Sequence, residues 1–345
     1  MEFSRQYLTR LSQESNFIKD ALEKVLRLSE ILKFLNSDVV FKDKLALKGG
    51  TAINLTAVEL PRLSVDIDLD FTVNVSRDDL PEIKEKFKKR LTDYMWQEGY
   101  SLADSRDHFA LTSFLFNYIN NAGNRDNIKV EINFLDRCHV LPLEKKKILT
   151  KGIIEDFEVL ALNTTELYAS KINALLSRAT PRDLYDVNAM IENNVIKDTE
   201  LLRKCLVFYN AIGGDYDIQS LDYKNVERLD YRKYKTQLKP VISKDDKFDI
   251  EKAKERVIAY VKDLLVLTDG EKEFLSKLKE KVYEPELLFS NEEIIVNVKN
   301  LTLPHYGALE KIKNFYKYDV SCHIYCAKIK VILAKNEVCI DYLYM

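Results

Sequence analysis

Between residues 62 and 71 the chain reads Arg-Leu-Ser-Val-Asp-Ile-Asp-Leu-Asp-Phe, an alternation that suits a β-strand with one acidic and one apolar face. Successive side chains of a strand point to opposite sides. Asp66, Asp68 and Asp70 therefore share one face, and Val65, Ile67, Leu69 and Phe71 the other. The apolar face requires a core. The acidic face requires a partner, because Asp is depleted from strands and neighbouring carboxylates repel one another unless something positive lies between them. A hard divalent cation such as Mg²⁺ meets that need, since it takes carboxylate oxygens and pairs with substrate phosphates.

The chain around this strand is long enough, at 345 residues, to bury a substantial core and to form two domains with a possible third. Lysine and arginine number 53 against 55 aspartates and glutamates, a formal net charge of −2. Any contact with nucleic acid must then come from a local patch, not from the field of the whole molecule. The start, Met1-Glu-Phe-Ser-Arg-Gln-Tyr7, lacks a signal-like apolar run, and no later run reaches the roughly 18 apolar residues of a membrane span. A cytoplasmic location is the expectation. The five cysteines are odd in number and scattered, which suits a reducing compartment. Cys322, His323 and Cys326 lack the second ligand pair of a zinc site, and His108 and His139 read as structural.

Apolar spacing predicts an amphipathic helix over 16–36, with Ile18, Leu22, Val25, Leu32 and Leu35 inward. A short strand, Leu45 to Lys48, leads into Gly49-Gly50 and a helical stretch from Thr51 to Val58. Glycines at such a turn let backbone approach a ligand, and the N–H groups of a helix start favour phosphate. Residues 78–97 read as a charged outer helix. Residues 109–119 and 127–135 read as a hairpin, whose second strand places Glu131 beside Asp66 and Asp68 if the two strands are neighbours. From Asn163 onward the pattern is helical, with Asn163 and Glu166 as a reciprocal cap, Lys171 and Arg178 on one helix surface, and Pro181 opening the next helix. Asp183 and Asp186 share a face of that helix. A polar linker is expected over 239–247, and 292–345 suggests no fold. The Lys145-Lys-Lys147 run reads either as a solvated face or as an RNA-facing patch extended by Lys151, Arg178 and Arg182.

These parts are the equipment for moving a nucleotidyl group. Two metal ions held by shared carboxylates can clamp the attacking and leaving oxygens of an in-line displacement at phosphorus, while glycine backbone and a lysine hold the triphosphate. Gly49-Gly50-Thr51-Ala52, Arg62-x-Ser64-x-Asp66-Ile-Asp68-Leu-Asp70-Phe71, Lys171-x-x-Ala174-Leu-x-x-Arg178 and Pro181-Arg182-Asp183-Leu-Tyr-Asp186 resemble the motifs of the AbiEii/AbiGii family of nucleotidyltransferase toxins, which includes the MenT-like toxins. The resemblance covers roughly residues 30 to 315.

It implies an α+β protein: a polymerase beta-type nucleotidyltransferase domain, a mixed sheet with flanking helices, over 1–160; a mainly helical domain over 161–315; and an unassigned extension over 316–345. It also implies an NTP substrate, Mg²⁺ or Mn²⁺, an RNA acceptor of the tRNA class, and a cognate antitoxin in a toxin–antitoxin or phage-defence pair. By motif, Asp66 and Asp68 are metal ligands, with Glu131 as a possible third from its strand position. Gly49, Gly50, Thr51, Ser64, Lys171 and Arg178 are nucleotide-binding candidates, and Asp186, with Asp183 as the alternative, completes the site. Fifteen residues separate Gly50 from Asp66, more than is usual in the wider superfamily, so Glu59 to Arg62 should form a longer loop; Asp70 should support the site from outside the metal shell. Two other readings stay open: nucleotidyl or phosphoryl transfer to a protein or small molecule, and a catalytically idle binding protein acting through a partner. Clustering of Asp66, Asp68 and Lys171 argues against the idle protein, which gains nothing from crowded like charges.

Overall fold

The computed structural model describes residues 3–76, 78–135, 137, 139–212, 218 and 223–299, with the backbone of residue 300 and of two short strands, 331–334 and 337–340. The Cys322, His323 and Cys326 group, and the 308–314 stretch included in the resemblance, lie outside the described residues. In chain order the elements are α1 (Arg5–Ser15), α2 (Lys19–Ser37), β1 (Leu45–Lys48), α3 (Gly49–Ala52, continued by a π-turn Ile53–Ala57), β2 (Asp66–Phe71), α4 (Leu80–Gln97), β3 (Ser101–Asp107), β4 (Leu111–Ile119), β5 (Arg125–Asn133), β6 (Glu144–Lys147) and β7 (Glu158–Ala161). Helices follow: α5 (Thr164–Arg178), α6 (Pro181–Glu192), α7 (Thr199–Ile212), the short α8 (Lys224–Glu227) and α9 (Tyr231–Lys233), then α10 (Ile250–Leu264), α11 (Asp269–Lys279) and α12 (Glu292–Asn300). Strands β8 (Val331–Ala334) and β9 (Glu337–Ile340) pair with each other.

Strands β1 to β7 form one mixed sheet in the order β3-β4-β5-β2-β1-β7-β6, which puts the acidic strand β2 at its centre. That position follows from the two faces of β2. Ile67, Leu69 and Phe71 are buried, and Phe71 meets Phe134 and Phe87 at centroid distances of 5.3 and 5.8 Å, with Phe41 beyond Phe87 at 5.0 Å. Helices α2 and α4 meet one another through stacked Phe34 and Tyr94. On the opposite face Asp66 and Asp68 stay partly exposed. β2 runs antiparallel to β1, with Asp68 opposite Lys48, and parallel to β5, with Asp68 opposite Glu131. No described helix is long and apolar enough to cross a membrane.

Several local expectations change. The first long helix starts at Lys19, not at residue 16, because Asn16 takes a left-handed conformation (φ 58°) and ends the unanticipated α1. Asn163 caps α5 by accepting from the Thr165 N–H at 2.8 Å. Glu166 does not complete the reciprocal cap. It is buried and instead accepts from the Val140 and Leu141 N–H groups at 2.8 and 3.1 Å and from the Tyr209 hydroxyl. The supposed linker over 239–247 is docked, because Leu63 N–H donates to the Val241 carbonyl at 2.7 Å and Arg62 bridges to Ile242. Pro181 does open α6, and Thr180 is its N-cap, accepting from the Asp183 N–H at 3.2 Å.

Candidate active site

The Gly49-Gly50 turn lies between two sets of charged side chains, and each glycine faces one of them. Gly49 has φ +68°, a conformation that L side chains rarely adopt. A Cβ there would come to 2.5 Å from Asp68 Oδ2. One built on Gly50 would come to 2.7 Å from Arg62 Nη2. Thr51 and Ser64, both buried, fix the turn to the start of β2: their hydroxyls are hydrogen-bonded at 2.9 Å, and Thr51 also bonds the Asp66 carbonyl. These hydroxyls are committed to the protein, so their structural role here is to pin the turn.

The first set is acidic. Burial, reinforced by Asp66 and Glu131, pushes the Asp68 carboxyl up to about 6, although Lys48 and Lys129 oppose the shift. Asp70, further along the strand, is buried and already paired, to Lys48 Nζ at 2.6 Å and to Asn133 Nδ2 at 2.7 Å. It therefore stands apart from Asp66 and Asp68. Glu131 lies in register with Asp68, as the sequence suggested, but its Oε2 is held by Lys129 Nζ at 2.5 Å. Among the described residues no three His, Cys, Asp or Glu side chains converge to hold a metal by themselves. The arrangement fits a site with two protein carboxylates, the number Mg²⁺ commonly takes when substrate phosphates and water complete its shell. Asp68, which makes no ion pair among the described residues although Lys48 and Lys129 act on it from nearby, faces the position a Gly49 Cβ would take and has the chemistry of such a ligand.

The second set is balanced. Arg62 grips Asp186 with a two-pronged bond, Nε to Oδ1 at 2.7 Å and Nη2 to Oδ2 at 2.6 Å. Lys171 Nζ lies 3.2 Å from Asp186 Oδ2 and 2.9 Å from Asp183 Oδ1. Asp183 is also reached by Arg178 Nε at 3.4 Å and by the Thr180 hydroxyl at 2.7 Å. Arg62, Lys171, Asp183 and Asp186 are all buried. Burial alone would lower the Lys171 pKa, but Asp183 and Asp186 outweigh it and hold the ammonium charged. Burial would likewise raise Asp183, yet Lys171 and Arg178 keep its carboxyl well below the usual range.

The structure therefore brings Asp183, Asp186, Lys171 and Arg178 into one network, and Asp66, Asp68 and Glu131 onto neighbouring strands of one face. Asp183 and Asp186 are both engaged by Lys171, so geometry does not separate their roles. Arg62 is what sequence reasoning missed. It stood in the Arg-x-Ser-x-Asp block without a role, and its partner lies 124 residues away. The long loop expected over 59–62 is what carries it: Leu60 adopts a left-handed φ of 47°, and the Pro61 carbonyl accepts from the Tyr185 hydroxyl at 3.0 Å. Asn54 donates to the Gly50 carbonyl at 2.8 Å, while its Oδ1, like the buried Tyr168 hydroxyl, has no hydrogen-bond partner among the described residues. The Lys145-Lys-Lys147 run is charge-balanced, with Asp43, Glu144 and Asp156 at 3.0, 2.9 and 2.7 Å from successive lysines.

The whole fold resembles that of the nucleotidyltransferase toxin MenT4 from Mycobacterium tuberculosis H37Rv, with a TM-score of 0.62 at 18% identity over 87% of this chain and 99% of that one. No curated protein matches the sequence. The family model for the nucleotidyl transferase AbiEii toxin of type IV toxin–antitoxin systems matches residues 31–261. This covers the glycine turn, the acidic strand and the entire buried charge network, and it amounts to more than half of the chain. The chain thus belongs to the AbiEii family of nucleotidyltransferase toxins.

Proposed function

We propose that this nucleotidyltransferase transfers a nucleotide from an NTP to an RNA acceptor of the tRNA class, using a divalent cation at Asp66 and Asp68. It would act as the toxin of a pair whose antitoxin is a separate protein, in the cytoplasm. The observation that carries the metal reading is Asp68, a strand carboxylate whose pKa is pushed up to about 6 beside a glycine whose Cβ, were there one, would lie 2.5 Å from its Oδ2. Bound there, Mg²⁺ or Mn²⁺ would stabilise developing charge on the phosphoryl oxygens of the transfer.

The remaining work falls to the chain's own residues. The Gly49-Gly50 backbone offers close approach to phosphate, and α3 is too short and too buried to present more than its opening N–H groups. Lys171 carries a full positive charge to a triphosphate if it exchanges Asp183 or Asp186 for phosphate oxygen. Arg62 keeps Asp186 neutralised during that exchange, so that a bare buried carboxylate is never left behind. Arg178, with its side chain 45% exposed, adds a second cation at the rim of the network.

Incubation with each labelled NTP, Mg²⁺ or Mn²⁺ and total tRNA tests the reading, with Asp66→Ala and Lys171→Ala alongside. Label should enter RNA only with metal present and only with Asp66 intact. Label in protein or in a small metabolite, with RNA untouched, would replace the RNA acceptor while keeping the transferase. Full transfer by Asp66→Ala would remove the metal site.

A further inference from the structure

The Lys145 to Lys147 run is balanced by carboxylates, so it offers an RNA acceptor little unpaired positive charge. Residues 228–239 carry five basic side chains, Arg228, Arg232, Lys233, Lys235 and Lys239, against the one acidic residue Asp230, in a chain whose net charge is −2. All five are exposed. The one carboxylate is used to cap α9, accepting from the Lys233 N–H at 2.7 Å. Among the described residues Arg228, Arg232, Lys233 and Lys239 make no ion pair. Tyr231 is 63% exposed among these cations, with Lys235 Nζ 5.8 Å from the centre of its ring.

This surface is continuous with the active site. Leu229, Tyr234 and Leu238 are its buried anchors, and Val241 just beyond it is buried too. Tyr234 stacks on Phe248, which packs on Tyr185, the neighbour of Asp186. Val241 and Ile242 bond the Arg62–Leu63 backbone. At the other end, Asn225 donates to the Ser177 carbonyl at 3.3 Å, next to Arg178. The strip thus borders the charge network from both Arg62 and Arg178.

We propose that the exposed face of residues 228–239 is the surface that grips the phosphate backbone of the RNA acceptor, with Tyr231 as a stacking platform for an unpaired base. The proposal rests on the RNA reading of the site. Cations that keep their charge unpaired attract phosphate and release its counterions. An aromatic ring among them supplies a face for a base of any sequence. An acidic protein partner would use the cations but has no need of the exposed ring.

The test measures tRNA binding to the full chain by fluorescence anisotropy between about 50 and 200 mM salt. Wild type is compared with Arg228→Gln/Arg232→Gln/Lys233→Gln/Lys239→Gln, with Tyr231→Ala, and with Lys145→Gln/Lys147→Gln as the control pair. Thermal melting and affinity for a nonhydrolysable NTP check the fold and the nucleotide site separately. The fourfold variant should lose about 10- to 100-fold in affinity at the lower salt, and its plot of log K against log salt should be shallower by about 3, since each phosphate left without its cation removes about 0.7 to 0.9 from the slope. Tyr231→Ala should lose about tenfold without a change in slope. The control pair should bind RNA like wild type.

Wild-type binding with an unchanged fourfold variant would overturn the surface and leave the RNA reading standing. Polyglutamate bound as tightly as RNA would also overturn it, by making the strip a general anion surface. Failure of wild type to bind RNA at any salt would end both readings.

Discussion

Asp68→Asn should make the protein more stable and inactive, and the gain should depend on pH. The folded chain holds the Asp68 proton up to about pH 6, whereas the ordinary value for the group is 3.8. A carboxyl whose pKa is raised by folding costs stability once it ionises, so the penalty opens between these two values and is complete above the higher one. A displacement of this size corresponds to about 3 kcal/mol at pH 7.5, falling to about 1 kcal/mol at pH 4.5. Asp68 is partly exposed, so solvent screening lowers the measurable gain to about 1–3 kcal/mol at the higher pH. Urea unfolding in EDTA at pH 7.5 and 4.5 reads it directly. Adding Mg²⁺ at ten times its dissociation constant should then stabilise wild type by about 1.4 kcal/mol and leave Asp68→Asn unmoved. A variant that is less stable at pH 7.5, or whose gain is the same at both pH values, would refute the claim that Asp68 is a destabilised carboxylate awaiting a cation.

Gly49→Ala should cost about 1 kcal/mol or more for the left-handed backbone alone, and should also displace Asp68 from 2.5 Å away; folding by urea titration and transfer activity should both fall, whereas an unchanged activity would mean that the turn does not position Asp68. Asp186→Ala leaves Arg62 buried without its partner and should cost about 3–5 kcal/mol, read by thermal melting, while Arg62→Lys should fold better than Arg62→Ala yet transfer poorly because an ammonium cannot make the forked bond. Lys171→Ala should weaken NTP affinity and Lys146→Ala should not, since Lys146 is held by Glu144 and Thr164; equal affinities for a nonhydrolysable NTP would mean that Lys171 is not the triphosphate lysine. Because the folded pKa of Asp183 is depressed, its stabilisation is full above the ordinary aspartate value and drains away as pH falls from there toward the folded value; Asp183→Asn, which lacks it at every pH, should therefore unfold in acid at a higher pH than wild type.

Elements whose side chains repeat with a period were legible in the sequence. The acidic strand, the hairpin of β4 and β5, and α4 to α6 all follow from alternation or helical spacing, and their expected boundaries lie within two residues of those in the structure. Polar edges were not legible. β3 reads Ser-Leu-Ala-Asp-Ser-Arg-Asp and is exposed almost throughout, so it has no buried face to announce it. β6 is a run of charge whose strand conformation comes from pairing with β7. Glu166 illustrates a different failure. A glutamate three residues after a cap is a common local signal, but the unsatisfied N–H groups of Val140 and Leu141 compete for the same oxygens and win.

The candidate site divides along the same line. Asp66 and Asp68 could be read locally because strand geometry alone places them together. The Arg62–Asp186 clamp could not, because nothing within either segment demands the other. What joins them is the long loop after α3, which returns Arg62 past Gly50 on the way to β2. A side chain at Gly50 would strike that arginine, just as one at Gly49 would strike Asp68. Two consecutive glycines thus meet two separate neighbours, one acidic and without an ion pair among the described residues, the other basic and clamped to Asp186. In the proposed transfer the acidic side would take the cation, and the balanced side could lend Lys171 because Arg62 would stay on Asp186.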